Sequence, residues 1–199
     1  MMRPSVSPRW LWLALLLCAP PLAAAPAAYR IDPVHTRILF RVGHNGFSSA
    51  MGTFSRPEGT LWFDSEDWTT ARLDVKIRLQ TLDLGDADFD ARIRRRAWLD
   101  VGTHPDARFV STSIEPVDRT HARVHGILTL RGTSEPVTLE VRLNRHARTA
   151  YNSMRRTAGF SASATLSRAA FGMKAHPRAV DDAVHLMIEA EAIRIPKDE

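Results

Sequence analysis

Cysteine is almost missing from this sequence: Cys18 is the only one in 199 residues, and it lies in a segment the chain is expected to shed. The mature protein should therefore hold no disulfide, no thiol nucleophile and no cysteine metal ligand. Long apolar runs are scarce too. The run from Trp10 to Ala19 is roughly half of what a bilayer-spanning helix needs. No glycine-rich phosphate loop, internal repeat or low-complexity linker interrupts the rest of the chain, which argues for one domain rather than several.

What stands at the N-terminus reads as a cleaved signal peptide over residues 1–27. Arg3 and Arg9 supply a positive start, Pro20 and Pro21 break the apolar run, and Ala23 to Ala28 offers small residues for a peptidase. Pro26 hinders a cut directly after Ala25, so the cut is placed after Ala27. Leu17 stands before Cys18 where a lipobox wants a small residue, which argues against lipidation. The mature domain, residues 28–199, keeps 172 residues, and its formal charge falls from +5 to +3 once Arg3 and Arg9 leave. Arg92, Arg94, Arg95 and Arg96 cluster without interleaved aromatics, so the sequence predicts a solvated helix face and no nucleic-acid partner.

Period-two alternation dominates the mature chain. Ala71, Leu73, Val75, Ile77 and Leu79 alternate with charged and polar residues, as do Val137, Leu139, Val141 and Leu143, and Val184, Leu186, Ile188, Ala190 and Ala192. One dry face and one wet face mark antiparallel strands. Turn residues separate eight of them, at roughly 34–44, 51–63, 70–81, 107–116, 121–131, 135–146, 156–167 and 182–195. From Asp86 to Trp98 the spacing turns helical, placing one helix between the third and fourth strands. Eight such strands close most simply as a barrel, with a two-sheet sandwich as the alternative.

Such a barrel is just wide enough to pack solid or to hold one small ligand. On the seventh strand the inward positions read Ala158, Phe160, Ala162, Ala164 and Leu166, and Ala190, Ala192 and Gly126 are small elsewhere. Small inward residues leave volume that either neighbours or a ligand must fill. If the volume stays open, Ile38, Phe40, Val42, Val75, Ile77, Phe109, Leu128, Leu139 and Phe160 are its expected lining. Walls of that kind favour a hydrocarbon, at roughly 0.8 kcal/mol per buried methylene.

Chemistry is hard to find. His121 and His125 lie about 13 Å apart on a strand, too far to share one metal. His35 and His44 point to opposite faces. Gly159-Phe160-Ser161-Ala162-Ser163 approaches a nucleophile elbow but ends in serine and lies within a strand. The sequence therefore predicts no catalytic residues, no metal and no cofactor. His44 shares parity with Ile38, Phe40 and Val42 and should point inward near the rim, either as a satisfied core residue or as a headgroup contact. Arg168, just past the seventh strand, meets either a headgroup or a rim carboxylate.

Tyr29-Arg-Ile-Asp-Pro-Val-His35-Thr, Phe40-Arg-Val-Gly-His44-Asn-Gly-Phe, Gly52-Thr-Phe54, Trp98-Leu-Asp100, Gly126-Ile-Leu-Thr-Leu130-Arg-Gly132 and Leu166-Ser-Arg168-Ala-Ala-Phe171-Gly172 follow one another in order. This pattern resembles the YceI-like family of periplasmic polyisoprenoid-binding proteins. The resemblance implies a lipocalin-like barrel, a bound isoprenoid lipid such as a polyprenyl phosphate or isoprenoid quinone, and a periplasmic location. On that reading Phe40, Phe109, Phe160 and Phe171 contact the tail beside Ala162 and Ala164, and His44 and Arg168 sit near the polar end. Arg92-Ile93 stands where members often carry His-Leu, and Ala170 where an acid is common, a shift toward anionic headgroups. An enzyme acting on a prenyl lipid and a solid interaction module serving a stress response are the rival readings. Transient contact with a membrane or a membrane redox protein, and homodimerisation, are further associations this reading leaves open.

Overall fold

The structure, a computed structural model, describes residues 25–196. The expected signal sequence lies outside the described residues up to position 24. Ten strands follow, β1 (Ala27–Ile31), β2 (Arg37–His44), β3 (Ser48–Ser55), β4 (Glu58–Phe63), β5 (Arg72–Arg78), β6 (Asp106–Pro116), β7 (His121–Leu130), β8 (Thr133–Arg148), β9 (Arg156–Ser167) and β10 (Val180–Arg194). All pair antiparallel, in the order β1-β4-β5-β6-β7-β8-β9-β10, and β10 returns to β1 to close an eight-stranded barrel.

The count of ten against the expected eight has two causes. β1 was not expected as a strand: it precedes Asp32-Pro33, and the chain bends there before β2 carries on along the same neighbour. Ile31 faces Ala192 of β10, and Ile38 faces Ile188 farther along. The second interruption splits the expected strand 51–63. Buried Pro57 has no amide to give the ladder, and Arg56 takes a left-handed φ of 54°, so β3 and β4 diverge. β4 stays in the ring, while β3 follows β2 outward. Around the opening that β3 leaves, Thr53 and Asp83 exchange two backbone hydrogen bonds of 2.8 and 3.0 Å.

The helix is shorter than its pattern. α1 spans Ala87–Ile93, capped by Asp86, whose carboxylate accepts from the Phe89 amide at 2.8 Å. The expected continuation to Trp98 fails because Leu99 and Val101 must enter the core while Arg95 and Arg96 stay in water. No straight helical face satisfies both demands. The chain winds back instead, with the Leu99 amide bonded to Ile93 O and Val101 to Arg94 O. Arg131 then ties this turn down, donating to Arg96 O and Gly172 O at 2.6 Å each.

Inside, size is matched across the ladder: Phe160 faces Ala190, Ala162 faces Ile188, Ala164 faces Leu186. A bulge between Leu143 and Arg145 on β8 reverses the alternation. It turns Arg145 out and brings His146 into the barrel opposite Ala158, an exchange that strict period-two counting cannot foresee.

Candidate functional site

The barrel encloses a cavity of about 610 Å³, in the middle of the range that holds lipid- or drug-sized ligands. Its two ends differ.

One end is shut by protein. Phe63 stands edge-on to Trp68 (5.3 Å), Phe160 (5.6 Å), His146 (5.7 Å) and Tyr29 (6.3 Å). Beneath this cluster lie Ala122, Ala158 and Ala192, at most 1% exposed. Here the small residues make room for aromatic rings, not for a ligand. The Tyr29 hydroxyl and His146 Nε2 meet at 2.9 Å. Burial raises the Tyr29 pKa and lowers that of His146, so both are held neutral. Gly126 likewise adds no volume. A Cβ there would stand 2.4 Å from the Phe109 ring and 2.6 Å from the Val110 carbonyl oxygen, so the ring occupies that space.

The middle is hydrocarbon. Ile38, Phe40, Val42, Val75, Ile77, Phe109, Leu128, Phe160, Ala162 and Phe171 all line the cavity, as does Leu139. Ala164 is brought close without reaching the wall. It packs against the core and borders a second pocket of about 760 Å³ together with Leu39, Met51 and Met187.

The other end is the mouth, formed by His44 at the end of β2 and Asn45 just after it, Arg92 and Trp98 from the helical turn, Arg168 after β9 and His176 before β10. Among the lining residues, those with a fixed charge are Arg92 and Arg168; among the described residues no aspartate or glutamate lines the cavity. Arg168 is only 5% exposed. Its Nε donates to Asp181 O at 2.9 Å, and Nη2 to Val180 O at 2.8 Å, while Nη1 bonds Met173 O. No carboxylate among the described residues lies within ion-pairing distance, so of the two alternatives the rim carboxylate pairing does not form, and a cage of carbonyls holds the guanidinium. The guanidinium also sits 5.5 Å from the Trp98 ring, which stacks on His176 at 6.1 Å. A buried cation held by carbonyl dipoles and a π-face, with the Asp182 carboxylate acting on it only beyond ion-pairing distance, retains an electrostatic preference for an anion nearby.

His44 is exposed at this mouth, its Nε2 3.2 Å from the Asn45 side-chain Nδ2. Sequence reasoning did not assign Trp98, His176 or Asn45 to the site. Nothing in their local pattern separates them from helix and turn residues, because they meet only when three loops converge. Nor did it join His35 to Asp32 and Glu191, whose ligand-type atoms lie within 4.8 Å of one another at the bend between β1 and β2. Asp32 Oδ2 is 2.7 Å from His35 Nδ1, its Oδ1 accepts from the Val34 amide at 2.8 Å, and Tyr151 lies against the His35 ring. These contacts clamp the bend between β1 and β2.

Comparison with known proteins settles the family. Residues 29–192 match the YceI-like domain. The chain belongs to the YceI-like family. A UPF0312 protein of Pseudomonas putida is 32% identical over 173 residues, covering 86% of this chain and 88% of its own length. Another, from Pseudomonas savastanoi, is 30% identical across 98% of this chain and 99% of its own. Among solved structures, BcnA of Burkholderia cenocepacia superposes with a TM-score of 0.73 at 22% identity, over 81% of this chain and 98% of that one. A polyisoprenoid binding domain from Saccharophagus degradans gives 0.66 at 12% identity, over 85% and 99%. These likenesses establish the YceI-like barrel as the fold.

Proposed function

We propose that this YceI-like protein binds a long isoprenoid lipid and carries or sequesters it in the periplasm, without catalysing a reaction on it. The tail lies in the bore against Phe40, Phe109, Phe160 and Ala162, and the polar head sits at the mouth between His44, Arg92 and Arg168. The observation that carries this reading is the polarity gradient of one cavity: hydrocarbon along its length, closed at the aromatic end, and cationic where it opens. A tail gains roughly 0.8 kcal/mol per methylene removed from water, so affinity needs few polar contacts, and the mouth selects the head. Arg92 and the caged Arg168 favour an anionic group, such as a polyprenyl phosphate, over a neutral one. The Saccharophagus degradans neighbour, a polyisoprenoid binding domain, supports the ligand class.

The test is to purify the protein without detergent from the periplasmic fraction of its native cells, extract it and identify bound lipid by mass spectrometry. The expected species is an isoprenoid with a phosphate head. A neutral quinone would refute the headgroup assignment, and lipid-free protein from the periplasm would refute the carrier.

A further inference from the structure

Phe47 is 92% exposed, the most exposed large apolar side chain among the described residues. It stands at the tip of the turn between β2 and β3, where Asn45 and Gly46 reverse the chain with left-handed φ values of 55° and 70°. The turn is fastened at its base, with the Asn45 amide bonded to Ala179 O at 2.7 Å and the Phe47 amide to His44 O at 3.1 Å. His44 and Asn45 line the cavity mouth, so a bare aromatic ring is held on the rim of the opening. The same rim carries exposed cations. Arg95 and Arg96 follow Arg92, and Lys174 and Arg178 flank His176. Of the carboxylates at this end, Asp88 and Asp181 are exposed, Asp181 beside Gly43, and others are engaged. Asp86 caps α1, Asp182 accepts from the Ala169 amide, and none of them lines the opening.

An aromatic residue beside cations on one rim is the arrangement that seats a protein in the headgroup layer of a bilayer, with the ring below the phosphates and the cations among them. We propose that this rim docks on an anionic bilayer surface, with Phe47 inserted, so that the bore opens toward the membrane from which a lipid would be drawn. The proposal rests on the carrier reading for its purpose but not for its physics. Docking needs only Phe47 and the rim charges, and it should weaken as salt screens them.

Co-flotation of the full-length mature protein with vesicles of equimolar phosphatidylcholine and phosphatidylglycerol tests it. Wild type should float with these vesicles and less with phosphatidylcholine alone. Phe47→Ser should bind about tenfold more weakly, and Phe47→Trp should bind as wild type and show added emission quenched by acyl-brominated lipid. The paired change Lys174→Glu with Arg178→Glu should weaken binding to the anionic vesicles. Uptake of farnesol in vesicle-free solution, measured on the same samples, should be unchanged in Phe47→Ser, which shows that the barrel is intact. Absence of wild-type flotation with anionic vesicles, or equal flotation by Phe47→Ser, overturns the docking proposal. Phe47-dependent flotation by a protein that takes up no farnesol would leave docking standing and remove the carrier reading.

Discussion

Replacing Ala162 with tryptophan puts the strongest demand on the hydrocarbon bore. Ala162 lies midway along β9, lines the cavity, and pairs with Val141 on one side and Ile188 on the other. At about 30 Å³ per carbon-sized atom, the 610 Å³ cavity accommodates on the order of 20 carbons. An indole in place of a methyl hydrogen fills close to half of that length, because it adds about nine heavy atoms to the wall. A tail that lost contact for only four methylenes would forfeit about 3 kcal/mol, and Kd would rise more than a hundredfold. The ring enters space that is open in the lipid-free protein, so thermal stability should hold or rise. Titration of delipidated protein with a prenyl lipid, alongside thermal melts, measures both. The graded series Ala162→Val, Ala162→Leu and Ala162→Trp should weaken binding in step with size. Wild-type affinity in a folded Ala162→Trp protein would show that the tail does not pass β9.

Three other outcomes follow from the same geometry. Arg168→Lys cannot reproduce the fork that reaches Asp181, Val180 and Met173 carbonyls, so urea denaturation should show a loss of at least ~3 kcal/mol. An unchanged unfolding midpoint would show that the cage does not hold the β9–β10 connection. Gly126→Ala drives a methyl into the Phe109 ring and the Val110 carbonyl; since the backbone oxygen cannot swing aside, the cost should be ~1–3 kcal/mol in the same assay, and a neutral result would mean the strands yield there. His146 is held below the ordinary 6.5 by burial and by the charges of Arg156 and Arg194. The folded chain thus binds fewer protons at this site than the unfolded one, so stability is full above pH 6.5 and falls as the pH drops below it. His146→Gln should flatten that decline, while the lowered carboxylates Asp32 and Asp74 act only at more acid pH; an equally steep decline in the variant would refute the assignment.

Alternation alone made most of the barrel legible. β9 matches its expected bounds, and β6, β7 and β10 lie within two residues of theirs, because a residue that faces the wrong side of a sheet is costly at every second position. The lining residues on those strands follow from the same parity. The misreadings occur where parity breaks. Pro57 divides the expected strand 51–63, β1 forms ahead of the bend at Asp32-Pro33, the bulge near Asn144 inverts β8, and the turn after Ile93 abandons the helix so that Leu99 and Val101 can be buried. The last two are settled by long-range contacts that no local window contains, whereas Pro57 acts through its own missing amide.

By itself the sequence determined that the chain is a β-sheet protein with one dry face, that its strands are antiparallel and that several inward side chains are small. Those are properties of residue size and spacing, and they are local. Whether the small residues leave a hole was decided in three dimensions. At Ala158, Ala192 and Gly126 neighbouring rings fill the space, and at Ala162 and Ala190 it stays open. The mouth is likewise a tertiary product. Asn45, Arg92, Trp98, Arg168 and His176 share it because three connections end at the same rim, and volume and charge at a point depend on every chain segment that reaches it.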